Sequence, residues 1–202
     1  MAVRNTKGFI NAYTKAEYWW EPLDRPILTA CRMMPNHVAN EEVFAKIALV
    51  NRVYRANLHL GTTNAEWKLA ELLVRMKFDN TIAQLRKLKS FSNKTKASVI
   101  AAHEDFVKIA YKVTKRVENS FCAKYLSSHF PAVLPIFDSK SYATSWKLKG
   151  GSLGKDLYDN NRNCDYGYHC EAILLLITDL RREGISNPNL KLIDSILYES
   201  GR

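Results

Sequence analysis

Lys96-Ala-Ser-Val-Ile-Ala-Ala-His-Glu-Asp-Phe-Val-Lys-Ile-Ala-Tyr-Lys-Val-Thr-Lys-Arg-Val117 decides the fold class. Val99, Ile100, His103, Phe106, Ile109, Ala110 and Val113 recur at steps of three and four, so a helix with this sequence carries one apolar stripe. The same period extends outward in both directions. Upstream, Phe44, Ile47, Ala48, Val50 and Tyr54 mark a helix over 41–58, capped by Asn40. Thr63-Asn-Ala-Glu66 has the form of a capping box opening a helix that carries Trp67, Leu69, Ala70, Leu72, Leu73 and Met76. A further helix is expected over 81–89. Downstream, a helix over 120–130 stops at Pro131, whose ring and missing N–H oppose continuation. Pro135-Ile-Phe-Asp138 reads as an extended connector, and Asp138 can cap a helix over 139–148. A strongly apolar helix over 165–182 ends at Gly184, and Pro188-Asn189 introduces the last one, over 190–199.

The expected fold is therefore mainly α: a compact, orthogonal helical domain spanning 1–202. It is either one body or two lobes (39–149 and 155–202) joined by the glycine-rich loop Gly150-Gly-Ser-Leu-Gly154. Residues 1–38 are rich in Tyr and Trp and show no clear period. They are expected to be irregular, with room for a strand.

Composition narrows the function classes. Of 202 residues 47% are hydrophobic, with only 8 Gly and 6 Pro, which is enough apolar material for a core. Thirty Lys+Arg against 20 Asp+Glu give a net charge of +10, with a pI near 9.4. That balance points to a polyanionic partner. The longest apolar run, Ala172 to Ile177, is far short of the roughly 20 residues that span a bilayer. The N-terminus has no apolar signal region, and Cys31, Cys122, Cys164 and Cys170 form no disulfide framework, so a cytoplasmic protein with reduced thiols and no membrane partner is expected. Without a Walker loop or a GxGxxG motif, no nucleotide cofactor is expected. Cys164-x4-His169-Cys170 lacks a CxxC pair and its adjacent ligands diverge on a helix, so no metal site is expected. Ser127-Ser128-His129 lacks the glycine-flanked elbow of a hydrolase serine.

The positive charge is concentrated. Between Gln84 and Arg116 stand nine Lys and Arg against only Glu104 and Asp105. Arg86, Lys87 and Lys89, then Lys94 and Lys96, bracket the Ser/Asn/Thr turn at 90–95 before a helix N-terminus. Backbone N–H groups, the dipole end and the lysines together favour phosphate there. These five, with Lys140, are the candidate nucleic-acid contacts. A solvated face on two helices explains the same pattern without a ligand.

Chemistry is concentrated in Ser120-Phe-Cys-Ala-Lys124-Tyr-Leu-Ser-Ser-His-Phe-Pro131-Ala-Val-Leu-Pro135-Ile-Phe-Asp138-Ser-Lys140. It brings a lysine-bearing helix, a proline break and a carboxylate at the next helix start. Such a carboxylate can stabilise a positive sugar centre or orient a water, and it can equally be a plain helix cap. A nearby lysine can be a nucleophile when desolvated, or hold phosphate when not. The aromatic residues Tyr54, Tyr125, Tyr142 and Trp146 are candidates to line a pocket.

Lys124 followed by Pro135-Ile-Phe-Asp138-Ser resembles the helix-hairpin-helix DNA glycosylase superfamily, in the manner of the bacterial 8-oxoguanine DNA glycosylase-like group. Lys46-Ile-Ala-Leu-Val-Asn51-Arg-Val-Tyr54 and Leu192-Ile-Asp194-Ser-Ile-Leu-Tyr198 extend the similarity across about residues 43–200. The resemblance implies an all-helical base-excision hydrolase working on duplex DNA in DNA repair. Asp138 would stabilise the oxocarbenium ion, Lys124 would be the candidate nucleophile, and no cofactor would be needed. Two alternatives stay open. One is a non-catalytic DNA- or RNA-binding module. The other is a metal-dependent nuclease, faintly echoed by Asp138-Ser-Lys140.

Overall fold

The structure, a computed structural model, describes residues 6–15, 21–58, 63–148 and 164–200. The described residues form ten helices and no strand: α1 (Thr6–Lys15), α2 (Glu21–Met33), α3 (Asn40–Tyr54), α4 (Ala65–Arg75), α5 (Asp79–Leu85), α6 (Lys96–Thr114), α7 (Asn119–His129), α8 (Ser139–Leu148), α9 (Cys164–Arg182) and α10 (Leu190–Ser200). The mainly α expectation holds. The glycine-rich loop at 150–154 lies outside the described residues.

Helix α7 is the centre. From Phe121 to Ser128 every residue is buried, and α2, α3 and α6 pack around it. Phe106 of α6 anchors the aromatic core between Phe78, at 4.9 Å between ring centroids, and Tyr125, at 5.2 Å. A helix covered on all sides is ordinarily apolar all round. This one also buries Lys124, Ser127 and Ser128, and Lys124 reaches the wall of a cavity.

The N-terminal segment departs from expectation: its described residues form helices over 6–15 and 21–33 and contain no strand. Phe9 and Tyr13 on α1 and Ile27 and Cys31 on α2 are buried, each pair four apart on one face. Pro22 and Pro26 hide the period in the sequence, yet both fall early in α2. Pro22 sits in the first turn, where the N–H has no partner to lose. The capping box at 63–66 does not form. Asn64 takes the N-cap in a left-handed conformation with no side-chain bond, and Glu66 instead accepts a 2.6 Å hydrogen bond from Asn51 Nδ2, tying α4 to α3.

Buried polar groups fix the segments on either side of α7. The fully buried Lys46 donates from Nζ to Met34 O and Asn36 O, both at 2.7 Å. His37 in the same turn donates its backbone N–H to Asp79 and receives the Tyr125 hydroxyl at 2.7 Å. On the other side, α9 holds the connector before α8. The Tyr166 hydroxyl donates to Pro135 O at 3.1 Å, and His169 Nε2 donates to Ile136 O at 2.8 Å. Burial keeps the His169 ring neutral, with its pKa down near 4, so Nδ1 can accept from Ser145 Oγ at 3.1 Å. His169 is thereby a strut for the turn that presents Asp138.

Candidate active site

Five segments from along the chain enclose one cavity of about 700 Å³. The wall is built by α2 (Leu23, Asp24), the end of α3 (Arg52 to Arg55), Lys124 of α7, the turn Ile136 with Asp138 to Lys140, and one face of α10 (Lys191, Asp194, Ser195, Tyr198). The α10 residues are spaced three, four and seven apart, so a single helix face supplies all four. Five cations face three carboxylates. Arg52, Arg55 and Lys140 are exposed, whereas Lys124, Lys191 and Asp24 are buried.

Asp138 is half-buried at the start of α8. Its Oδ1 accepts the backbone N–H groups of Lys140 and Ser141, both at 2.9 Å. It is thus the helix cap that the sequence suggests, and it also lines the cavity. Lys124 lies across α7 with Nζ 5.8 Å from the Tyr54 ring centroid and makes no hydrogen bond or ion pair from Nζ among the described residues. The exposed Lys140 places Nζ 4.8 Å from the Tyr198 ring. Arg55 closes α3 in a left-handed conformation, φ 48°, which costs a side-chain-bearing residue about 1 kcal/mol.

Sequence reading missed the rim cations Arg52 and Arg55 and three buried or half-buried members of the wall. Lys191 Nζ pairs with Asp24 Oδ2 at 3.3 Å and donates to the Tyr54 hydroxyl at 3.1 Å, while that hydroxyl donates to Asp24 Oδ1. Burial pushes the Lys191 pKa down, and Asp24 and Asp194 oppose it. The third, Asp194, has an Oδ1 sealed from solvent with no hydrogen-bond partner. Burial first, and then the Asp138 charge, push its pKa up to about 7 against Lys191 and Lys124. The polar spacing of Lys191, Asp194 and Tyr198 within an apolar helix is the signal that could have found the α10 group. Nothing local marks Asp24.

Of the residues expected to carry function, Asp138, Lys124, Tyr54 and Lys140 meet in this cavity. The others do not. Tyr125 is fully buried in the core with its hydroxyl on His37. Tyr142 packs against Phe137 at 5.3 Å and Tyr168 at 6.1 Å, outside the cavity wall. The Trp146 side chain lies outside the described residues. None of the 84–116 cations lines the cavity. Arg86 is engaged with Pro35 O and Asn36 Oδ1, and Lys96 pairs with Glu171 at 3.2 Å. Lys87, Lys89 and Lys94 are exposed elsewhere on the surface. Density of charge along a sequence does not give its direction in space.

No protein-family model, curated protein or solved structure matches this chain. Among the described residues no group of three His, Cys, Asp or Glu side chains is placed to hold a metal ion, and no helix is long and apolar enough to cross a membrane.

The buried Asp24–Lys191 pair gives a direct check on the wall. Asp24→Ala removes the carboxylate that pairs with the buried Lys191 ammonium and is expected to cost about 3–5 kcal/mol in urea unfolding. The double variant Asp24→Leu/Lys191→Met removes both charges and is expected to recover most of that loss. Additive losses in the double variant would mean that the two groups are not coupled.

Proposed function

We propose that the cavity receives a base turned out of a DNA strand and that the protein hydrolyses its N-glycosidic bond. The observation that carries this reading is the convergence of Asp138, Lys124 and Tyr54, named from the glycosylase resemblance and from candidate aromatics, on one cavity with a cationic rim. A base must leave the stack before its glycosidic bond can be attacked, and an aromatic wall suits it once outside. Arg52, Arg55 and Lys140 on the rim can hold the flanking phosphates. As the C1′–N bond breaks, its electrons leave with the base. The Asp138 carboxylate stabilises the positive charge left on the sugar. The Lys124 amine, buried at the cavity wall, is the nucleophile at C1′. The C–N bond to lysine forms as the bond to the base breaks, and the amine proton passes to the departing base. Ring opening gives an imine, and water then hydrolyses the imine to release the sugar and restore Lys124.

The test is incubation of the protein, in EDTA, with duplex oligonucleotides that carry single damaged or modified bases. Release of free base is expected, together with a borohydride-trapped cross-link that Lys124→Gln removes. Strand scission that requires a divalent ion would instead favour a nuclease. No release from any substrate would leave a binding module, which the exposed Lys87, Lys89 and Lys94 favour. In that case charge reversal at those three lysines would abolish DNA binding, whereas Arg52→Glu/Arg55→Glu would not.

A further inference from the structure

Charge in the cavity is unbalanced once its internal pairs are set aside. Lys191 is engaged by Asp24 at 3.3 Å, and Asp138 Oδ1 is engaged by the N–H groups of Lys140 and Ser141. Arg52, Arg55, Lys124 and Lys140 are left without a carboxylate partner among the described residues. Lys124 is the decisive member. The residue is only 9% exposed, yet its Nζ makes no hydrogen bond or ion pair. Unlike the sealed Asp194 Oδ1, that Nζ keeps exposed surface on the cavity. A buried ammonium is ordinarily paired, because leaving water without a partner is costly. The Tyr54 ring, 5.8 Å away, offsets part of that cost, and Asp194 attracts Lys124 only from beyond ion-pair distance.

The wall is also polarised. Three of the four unpaired cations stand on α3 and α7, which pack together, and Tyr54 lies between Arg52 and Arg55 in sequence with Lys124 Nζ near its ring. Asp138 and Asp194 stand on the start of α8 and on α10, which also pack together. Lys140 is the exception, on the α8 side with its Nζ 4.8 Å from the Tyr198 ring. A ligand matched to this wall carries concentrated negative charge at one end, hydrogen-bond donors at the other, and a flat or apolar body between.

We infer that the cavity is a binding site for a nucleoside bearing a terminal phosphate, with the phosphate against Lys124, Arg52 and Arg55. A phosphomonoester carries close to two charges and three free oxygens, which suits several unpaired cations better than a carboxylate does. A backbone phosphodiester has one charge and a substituent on either side, so it suits the exposed rim but not the buried Lys124. The nucleoside supplies the rest: a base for the tyrosine faces, and sugar hydroxyls or base N–H groups for the two carboxylates. Its source is either a free nucleotide or the phosphorylated end of a strand. Such a site is additional to base release and does not depend on it. A phosphate on Lys124 keeps the ammonium charged, so the two occupants exclude one another.

The test is titration calorimetry of the full chain with deoxynucleoside 5′- and 3′-monophosphates, the matching nucleosides, inorganic phosphate, and tetranucleotides phosphorylated at either end. At least one monophosphate is expected to bind about tenfold or more tightly than its nucleoside and than inorganic phosphate. A tighter free nucleotide would assign the site to nucleotides, and a tighter tetranucleotide to strand ends. Lys124→Met keeps the buried stem without the charge and should weaken that binding about tenfold or more. Arg52→Gln/Arg55→Gln, confined to the exposed rim, should weaken it in the same direction without touching the core. Lys87→Glu/Lys89→Glu/Lys94→Glu lies outside the cavity and should leave it unchanged. Equal binding of nucleoside and monophosphate, inorganic phosphate binding as tightly, or full affinity in Lys124→Met would each overturn the inference. So would an equal loss in the triple surface variant, which would leave only general attraction of anions to a basic protein. Monophosphate binding with no base release from any substrate sinks the glycosylase reading alone, and base release without monophosphate binding sinks this site alone.

Discussion

Asp138→Asn is expected to lower base release by roughly a thousandfold while leaving the protein folded and bound to DNA. The substitution separates the two roles the position can have. As a cap, Asp138 Oδ1 accepts the N–H groups of Lys140 and Ser141. Asn caps a helix about as well as Asp, and loss of the charge at the dipole end costs less than about 1 kcal/mol. Fold and cap therefore survive, and the charge is what disappears. Asp138→Ala removes cap and charge together and should lose about 1 kcal/mol of stability on top of the same activity. Equal base release by wild type and Asp138→Asn, with a stability loss confined to Asp138→Ala, would reduce Asp138 to a helix cap.

The same variant has a second consequence through the carboxyl pair. The Asp138 charge is the cause, after burial, that holds the Asp194 pKa near 7. Without it Asp194 should titrate lower. The midpoint of the Asp194 carboxyl titration, followed by carbon-13 NMR, would then move down in Asp138→Asn. A structural cap with no electrostatic link to Asp194 would leave that midpoint where it was.

The parts of the molecule legible in the sequence are those whose burial is one-sided. Val99, Phe106 and Ala110 print the 3.6-residue period of α6, and Leu190, Ile193 and Leu197 do the same for α10. Helix α7 is legible as a helix but not as the centre, because a helix buried on every side has no face to read. Helix α2 is hidden by Pro22, which the first turn tolerates, and by Pro26, which stands inside the helix and removes one i→i−4 hydrogen bond without ending it. In the cavity, Asp138 and Lys124 are legible because turn chemistry and a lysine in an apolar helix are local. Asp24 and Lys191 are not, since their meaning lies in a 3.3 Å contact between the two ends of the chain. Tyr125 shows the converse limit: aromatic spacing identifies a buried residue without saying whether core or cavity buries it.

Acidification is expected to unfold the protein cooperatively between about pH 6.5 and 4, because four histidines are buried neutral. Burial is the first cause in each case. It holds His37 down to about 3, His103 and His169 to about 4, and His129 well below its ordinary range, where it lies 5.0 Å from the His37 ring. A group with a depressed folded pKa takes up its proton preferentially in the unfolded chain. Its contribution to stability is whole above the unfolded value near 6.5 and is lost as pH falls toward the folded value. Each unit below 6.5 costs about 1.4 kcal/mol per histidine, so by pH 5 four of them remove about 8 kcal/mol. That is comparable with the whole stability of an ordinary domain, about 5–15 kcal/mol. Asp194 acts with the opposite sign. Its raised pKa means that acidification from 7 toward 4 returns stability, and Glu118, raised by burial, does likewise. The net uptake on unfolding near pH 5.5 is therefore about two to three protons, a slope of roughly 3–4 kcal/mol per pH unit in urea-derived stabilities. His103→Gln, whose amide can replace the ring's 3.0 Å hydrogen bond to Asn119 O, should lower that uptake by about one proton. A slope below one proton in wild type, or one that His103→Gln leaves unchanged, would mean that these rings are already charged in the folded protein, and a core of buried neutral histidines would be wrong.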